Sequence, residues 1–556
     1  MRLHDRSGER AISSPRSKIV EGPPSVLLAL ALLAPLLAAA GVAPRVAQPA
    51  QGYDVLIRGG RVLDGSGNPW FRADVAVAGD RIAVIGDLRD ATAGIELDAT
   101  GLYVAPGYID VHSHAAGGLA SEQLAGAETL LYQGVTTVVI NPDGRSPDIG
   151  EQRDEMLAHG IGVNAAPMVG HGSIRGDVIG ADDRQATPAE LERMREIVRA
   201  GMEEGAFGLS SGLFYAPGSY AELAEVIALA EVAAEYGGVY ASHIRDEADY
   251  TIGVVAAVDE VIEVARRAGI PGVVTHVKAL GPNVWGESRT IVEHIEAART
   301  EGVEMYADQY PYEASSTGLS AALLPRWSQA GGGEALAARF ADPETRARIR
   351  AAMVENLARR GGAGRIQFVS GEGIEGRTLQ DLADEQAIDP IEVAVELLTG
   401  GGGGSIISHN MDAADVHALM VQPWTMTASD GGLPRFGAGK PHPRSYGTFP
   451  RKIREYVLEE EVVPLAAAIR SMTSLPATAF RIADRGTLRT GAFADVVVFD
   501  LERVRDLATY EDPHQYAEGV VHLLVNGQLA VRDGQPTGVR AGRALRRSEM
   551  AAGGRS

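Results

Sequence analysis

The chain contains no cysteine among its 556 residues. This absence excludes a disulfide framework, and it also excludes a lipid attached to a cysteine after removal of a leader. The stability of the fold must therefore come from packing of a core, to which a bound metal ion would add.

Basic residues are in the minority, because 51 Lys and Arg stand against 73 Asp and Glu and give a formal charge of −22. A protein that binds nucleic acid or an anionic membrane needs a basic surface to replace the released counterions. We therefore expect a small-molecule substrate rather than either of these partners. The composition, 45% hydrophobic and 22% charged, is that of a globular chain with a core large enough for one barrel and a smaller domain.

Long apolar runs are also scarce, and the main one lies near the N-terminus, over residues 26–40. Small residues follow it, and basic residues precede it at Arg2, Arg6, Arg10, Arg16 and Lys18. This order is typical of a signal peptide, so we predict that residues 1–45 are a leader and that the protein is exported to the periplasm or the medium. An uncleaved membrane anchor is the alternative, although Pro35 and the short length of the run favour the leader.

Both ends of the remaining chain are rich in short β-forming runs separated by glycine turns. We predict that residues 52–105 and 485–535 form one small β-sandwich assembled from the two ends. The long middle, residues 106–484, would then be the catalytic domain.

The middle alternates strand-like and helix-like segments, a pattern typical of α/β folds with a parallel sheet. Eight candidate strands begin at Tyr108, Thr136, Val163, Phe207, Val239, Gly272, Glu304 and Trp424. The amphipathic segments between them have apolar spacing near 3.6 residues and end at glycine. Eight such units predict a (β/α)8 TIM-like barrel.

The gap between the seventh and eighth strands is longer than the others and contains an Arg-rich, Ala-rich helical stretch. We predict an inserted segment at residues 320–372, which would emerge on the catalytic rim as a lid or as mere decoration. The glycine run at residues 400–404 is expected to be a flexible turn. Residues 536–556 are expected to be a polar tail, disordered from Arg543 onward.

Histidines recur at the ends of the candidate strands. His112 and His114 end the first strand and project to the same face, His243 and His276 end later strands, and Asp430 ends the eighth. One histidine on an apolar strand is usually a core residue. Imidazole and carboxylate groups gathered on one rim instead predict a divalent metal site that suits zinc.

Several segments carry a family resemblance. They are PGYIDVHSH at Pro106, GLFYAPGSY at Gly212, YASHIRDE at Tyr240, THVKALG at Thr275, YPYEASST at Tyr310, WTMTASDG at Trp424 and PHPRSYGTFPR at Pro441. In this order they resemble the amidohydrolase superfamily and, within it, the N-acyl-D-amino-acid deacylase (D-aminoacylase) family. The resemblance implies a distorted barrel with a small β-sandwich.

The resemblance also implies one or two zinc ions, or other divalent metals, held by His112, His114, His243, His276 and Asp430. Asp430 would act as general base and then as acid, accepting a proton from a metal-activated water and returning it to the leaving amine. The substrate would be bound by residues corresponding to Lys278, Arg444, Tyr215, Tyr310 and Ser316. Arg444 offers a planar fork suited to a carboxylate, although a structural ion pair is the alternative for Arg444 and for Lys278.

One departure from the family concerns the turn after the second strand. The family has a cysteine there as a metal ligand, whereas this chain has INPDG, with Asp143 at that place. A carboxylate can bind zinc or bridge two metals, and it would shift the preference toward harder metals. The alternative is that Asp143 is only a turn residue before Gly144.

These observations predict hydrolysis of an N-acyl-D-amino acid to a carboxylate and a D-amino acid. Another linear or cyclic amide, such as an isoaspartyl dipeptide or a hydantoin-like ring, is the second hypothesis. A non-catalytic exported binding protein is the third. The sequence leaves the oligomeric state open.

Overall fold

The computed structural model describes residues 52–401 and 403–547 of the chain. The predicted signal peptide lies outside these residues, so export stays a prediction. Among the helices described, none combines the length and the apolar character that crossing a membrane requires.

Eight parallel strands form the barrel at the middle of the chain, and each begins within a few residues of its predicted start. They are Tyr108–Ser113, Val135–Ile140, Asn164–Pro167 continued by Val169–Gly170, Gly208–Gly212, Val239–His243, Gly272–Val274, Met305–Gln309 and Thr425–Thr427. Neighbouring strands pair in parallel from the first to the eighth. The ring closes where the amide of Asp430 donates to the His112 carbonyl at 2.9 Å and that of His114 to the Gly431 carbonyl at 2.8 Å.

Helices cover the outside of the barrel. Their apolar faces pack on the strands, and several begin with a side-chain cap, such as the Thr187–Glu190 capping box. The principal ones are Ile149–His159, Pro188–Glu203, Leu223–Glu235, Val254–Ala268, Ser288–Thr300, Ala413–Met420, Arg444–Arg451, Leu465–Met472 and Ser474–Ala479.

Both ends of the described chain form one nine-stranded sheet. Its strands are Gly52–Val62, Phe71–Ala78, Arg81–Gly86, Thr92–Asp98, Tyr103–Pro106, Val496–Phe499, Val520–Val525, Gln528–Arg532 and Gln535–Pro536. The two chain ends meet where Val496–Phe499 pairs antiparallel with Tyr103–Pro106. Instead of two separately bonded layers, the strands are linked continuously, because Gly52–Val62 pairs with three others. The β domain built from both ends is thus present, with a branched sheet.

The insertion between the seventh and eighth barrel strands is larger than predicted, spanning residues 315–408 rather than 320–372. Its three strands are Ser315–Gly318, Ile366–Phe368 and Ser405–Ser408, and its helices are Leu319–Leu323, Gly332–Ala341, Pro343–Arg359, Leu379–Gln386 and Pro390–Thr399. Ser405–Ser408 pairs antiparallel with both other strands, which binds the second half of the segment to the first. The insertion therefore has its own core.

The expectation of disorder from Arg543 onward is wrong for residues 543–547. The carbonyl of Arg543 accepts from the Ala165 amide at 2.9 Å, and the Leu545 amide donates to the Ala165 carbonyl at 2.8 Å. Leu545 is 6% exposed and belongs to the barrel core. Burial of this leucine outweighs the polar composition around it.

A buried polar network joins the terminal sheet to the barrel. The Asp495 carboxylate pairs with Arg485, accepts from the Asn526 amide at 2.7 Å, and accepts from the Asn164 side chain at 3.3 Å. Asn526 in turn donates to the Asn164 side-chain oxygen at 2.7 Å. Asp495 and Arg485 are both 4% exposed, so removal of either would leave an uncompensated buried charge.

We predict that Asp495→Ala lowers the free energy of unfolding by about 3–5 kcal/mol, because Arg485 would lose its counter-ion in a buried setting. Urea denaturation followed by circular dichroism measures the change. Glu196→Ala, which removes an exposed ion pair with Arg193, is the control and should change stability by less than about 0.5 kcal/mol. If Asp495→Ala lowers the free energy of unfolding by less than about 1 kcal/mol, the network does not link the terminal sheet to the barrel.

Candidate metal centre

The predicted metal-site residues all lie at the carboxyl-terminal rim of the barrel, where active sites of this architecture are built. His112 and His243 belong to the first and fifth strands, and His276 and Asp430 follow the sixth and eighth. The imidazole of His112 is 1% exposed, whereas the His114 side chain is 42% exposed and faces the cavity.

The turn after the second strand carries Asp143 into this ring. Asn141, Asp143 and Gly144 all have left-handed backbone, at φ 65, 57 and 72°. The side chain of Asn141 exchanges two hydrogen bonds of 2.9 Å with Gln152, which fixes the turn. A Cβ on Gly144 would lie 2.8 Å from the Gly212 nitrogen, so the turn fits against the fourth strand only with glycine there. His276 and Asp430 are also left-handed, and such strain is characteristic of functional sites.

The Asp143 carboxylate faces all four histidines. Its Oδ1 lies 3.4 Å from His112 Nε2, 3.5 Å from His243 Nδ1 and 3.6 Å from His276 Nε2, and its Oδ2 lies 3.5 Å from His114 Nε2. A residue that served only the turn would not need this placement. The geometry therefore favours the ligand interpretation of Asp143 over the turn interpretation.

These atoms lack hydrogen bonds to one another and are spaced like the ligands of a metal ion. Asp143 Oδ1, both ring nitrogens of His112 and both of His243 are buried without a hydrogen-bond partner among the described residues. In a tetrahedral site with bonds of about 2.0–2.1 Å, neighbouring ligand atoms lie about 3.3–3.4 Å apart, close to the separations seen here. Burial also lowers the pKa of His112 to about 3, which keeps its imidazole neutral and able to bind a cation.

Asp430 lies between the histidines of the first strand and a cation. Its Oδ1 is 3.1 Å from His114 Nε2 and 3.5 Å from His112 Nε2, and its Oδ2 is 2.8 Å from Arg444 Nη1. Burial alone would raise the pKa of this carboxyl, but the Arg444 guanidinium and the His114 hydrogen bond hold it well below the usual range. Asp430 is therefore ionised and can accept a proton.

Glu247 is a site residue for which the sequence analysis assigned no role. Its Oε1 lies 2.9 Å from His276 Nδ1 and pairs with Lys278, and its Oε2 lies 3.9 Å from His243 Nε2. A carboxylate on the second ring nitrogen of a ligand histidine fixes the ring orientation. The signal was present in SHIRDE, four residues after His243, but Glu247 lies in a loop beyond the strand, where no periodicity points to it.

The five residues assigned to substrate binding all line one cavity of about 770 Å³ above the metal-site residues. Lys278 Nζ and Arg444 Cζ lie 5.6 and 4.9 Å from the centroid of the Tyr310 ring. The Tyr215 ring lies 4.6 Å from that of His243, with its hydroxyl 3.2 Å from Thr317 Oγ1. The Ser316 hydroxyl donates to the Ile406 carbonyl at 2.9 Å, so only its lone pairs remain for a ligand. Lys278 pairs with Glu247, and Arg444 pairs with Asp430. Both residues thus form a structural ion pair and also line the cavity in which a substrate would bind.

A (β/α)8 barrel with four histidines and ionised carboxylates on its carboxyl-terminal rim has the architecture of a metal-dependent hydrolase. The sequence profile of the amidohydrolase family matches residues 96–531. The chain belongs to the amidohydrolase family, as the motifs indicated.

Within this family, the chain is similar to deacylases. The chain is 36% identical to an N-acyl-D-glutamate deacylase of Alcaligenes xylosoxydans xylosoxydans, over 90% of this chain and 98% of that one, and 35% identical to a D-aminoacylase of the same organism, with the same coverage. Among solved structures, it resembles N-acyl-D-glutamate deacylase from Bordetella bronchiseptica complexed with zinc and a phosphonate mimic of the tetrahedral intermediate. That match has a TM-score of 0.76 and 34% identity, over 89% of this chain and 100% of that one.

We predict that Asp143→Ala weakens zinc binding by at least about 10–100-fold, the loss seen even when residues that only support a ligand are removed. Competition with a chelating dye measures the affinity. Asp154→Ala is the control, because that carboxylate is exposed and its ion pair within the described part of the chain is with Arg153. Unchanged zinc affinity in Asp143→Ala would show that Asp143 is only a turn residue.

Proposed function

We propose that the protein is a metal-dependent deacylase that hydrolyses an N-acyl-D-amino acid to a carboxylate and a free D-amino acid. The observation that carries the proposal is the position of Asp430, whose two oxygens contact the first-strand histidines and Arg444 respectively. One carboxylate is thereby placed between the metal-site residues and a cation suited to the carboxylate of a substrate. The deacylases to which the chain is similar support the same reaction.

His112, His114, His243, His276 and Asp143 would hold the metal, with zinc as the first candidate and Asp430 as a further ligand. When bound, the ion supplies a Lewis acid for the amide carbonyl and lowers the pKa of water. Asp430 accepts the proton of the attacking water and delivers it to the nitrogen of the leaving amine. Glu247 holds the His276 ring and the Lys278 ammonium in place.

Recognition of the substrate carboxylate would fall to Arg444 and Lys278, whose charges lie against the Tyr310 ring. The guanidinium of Arg444 can bind a carboxylate through two parallel hydrogen bonds. Release of free amine from matched N-acetyl-D- and N-acetyl-L-amino acids tests the proposal. Release from the D-forms supports it, whereas release only from L-forms or from cyclic amides overturns it.

We predict that Asp430→Asn lowers kcat by about 10²–10⁴-fold, because an amide cannot accept the proton. Metal content should remain, since the histidines and Asp143 stay in place. Turnover assays together with plasma mass spectrometry check both parts. Asp412→Asn, a change at an exposed helix cap, is the control and should keep full activity. A variant of Asp430 that retains most of its activity would contradict the assigned base.

We predict that Arg444→Ala lowers kcat/KM for N-acetyl-D-leucine by about 30-fold or more, because a buried charge partner of the substrate is lost. The same variant should lose much less on an N-acetylamine that lacks the carboxylate. The ratio of the two losses separates carboxylate binding from the effect of Arg444 on Asp430. Equal losses on both substrates would contradict binding of the substrate carboxylate by Arg444.

A further inference from the structure

His276, one of the four histidines of the metal centre, has an unusual backbone conformation. Its φ of 35° is in the left-handed region, which a residue other than glycine adopts only when its surroundings impose it. His276 follows the sixth barrel strand, Gly272–Val274, and is 2% exposed. The contacts that hold this backbone therefore also decide where the imidazole points.

The hydrogen bonds between the sixth and seventh strands change their pattern at His276. The two strands pair in parallel, and the amide of Gly272 donates to the Glu304 carbonyl at 2.9 Å. A regular ladder would bring the His276 amide to the Asp308 carbonyl, four residues further along both strands. That carbonyl instead accepts from the Val277 amide at 2.8 Å.

The side chain of Asp308 accepts the hydrogen bond that the ladder does not provide. Its Oδ1 lies 2.6 Å from the His276 amide nitrogen, so the carbonyl and the carboxylate of one residue bind two successive amides. Two residues of one strand thus face one residue of the other, as in a β-bulge, which bends the strand and redirects a side chain. Asp308 is 0% exposed, so bulk water cannot take the place of this acceptor.

The imidazole carried by this bulge lies in the middle of the predicted metal site. His276 Nε2 is 3.6 Å from Asp143 Oδ1, and the ring centroid is 4.4 Å from that of His243 and 4.8 Å from that of His112. The backbone angles of His276 set the direction of its Cα–Cβ bond. Loss of the bulge would therefore turn the ring away from these neighbours.

A second predicted ligand with left-handed backbone has the same kind of support. Asp430, at φ 49°, follows the eighth strand, and Asp110 on the adjoining first strand is a buried carboxylate. Asp110 Oδ1 accepts from the amide of Ser429 at 2.8 Å, and the Ser429 hydroxyl oxygen accepts from the Gly431 amide at 3.0 Å. A carboxylate of the neighbouring strand therefore fixes the backbone at each of these two ligands.

We propose that Asp308 is a positioning residue of the metal centre, which holds the His276 backbone in the conformation that directs its imidazole toward the metal. Asp308 acts as a hydrogen-bond acceptor at one fixed place and not as a metal ligand, because the group it binds is the backbone amide of His276. The inference concerns assembly of the metal site, and it does not depend on which amide the enzyme hydrolyses.

Two variants of Asp308 and one control test this role. Asp308→Asn keeps an oxygen that can accept from the His276 amide, whereas Asp308→Leu fills a similar volume without an acceptor. Asp415→Ala is the matched control. Asp415 is also a buried carboxylate that accepts a backbone amide, from Gly286 at 2.8 Å, but it lies on the helix Ala413–Met420 and not beside a metal ligand.

Two measurements report on the site without an activity assay. Competition with a chelating dye gives the zinc affinity, and the visible absorption spectrum of the Co²⁺-loaded protein reports the geometry of the ligands. Asp308→Leu should change the spectrum and weaken zinc binding by about 10–100-fold, the loss typical of residues that orient a metal ligand. Asp308→Asn should keep the wild-type spectrum and bind zinc within about threefold of wild type, because the acceptor stays in place.

The control separates this effect from a general loss of stability. Urea denaturation should show a lower free energy of unfolding for Asp415→Ala, whereas its zinc affinity and Co²⁺ spectrum should be those of the wild type. An equal loss of zinc affinity in Asp415→Ala and Asp308→Leu would overturn the inference.

Two further results would also contradict it. Wild-type zinc affinity with an unchanged spectrum in Asp308→Leu would show that another contact holds His276. Equal losses in Asp308→Asn and Asp308→Leu would assign the effect to the charge of Asp308 and not to its hydrogen bond. If Asp308→Leu does not fold, the isosteric Asp308→Asn decides alone, since a loss of about tenfold or more in its zinc affinity contradicts the proposal and retention of wild-type affinity supports it.

Discussion

The site is organised around one buried carboxylate that faces four imidazoles. Asp143 can occupy this position only because the turn of residues 141–144 is held in left-handed backbone by Asn141 and Gln152 and packs on the fourth strand without room for a side chain at Gly144. Both ring nitrogens of His112 and of His243 lack a hydrogen-bond partner among the described residues. The distances from Asp143 to His112, His243 and His276 match the distances between neighbouring ligand atoms of a metal site. A divalent cation is the group that satisfies all of these atoms together.

Closure of the barrel gives this centre its base. The first and eighth strands meet through the Asp430 and His114 amides, and the buried Asp110 carboxylate accepts from the Ser429 amide at 2.8 Å. Asp430 is thereby fixed opposite His112 and His114. The terminal sheet contacts the opposite end of the barrel, where Asp495, Arg485 and Asn526 form a network with Asn164 at the start of the third strand. The insertion completes the cavity and contributes a wall with its own charge.

Much of this was predictable from the sequence, because strand ends and HxH spacing are local signals. The eight strands, the β domain from both ends, and the gathering of His112, His114, His243, His276 and Asp430 on one rim follow from periodicity and motif order. Pairing between strands that are distant in sequence leaves no local signal. The predicted insertion is too short because Ser315–Gly318 pairs with Ser405–Ser408, far along the chain. Glu247 was missed because it lies in a loop, and Leu545 because its burial depends on contacts with segments that are distant in sequence.

The most direct test of the central claim is anomalous diffraction at the zinc edge from crystals of the zinc-loaded protein. We predict an anomalous peak that lies about 2.0–2.2 Å from an oxygen of Asp143 and from a ring nitrogen of at least two of the four histidines. A peak at the histidines with Asp143 beyond bonding distance, or no peak at this rim, would contradict the claim that Asp143 organises the metal centre.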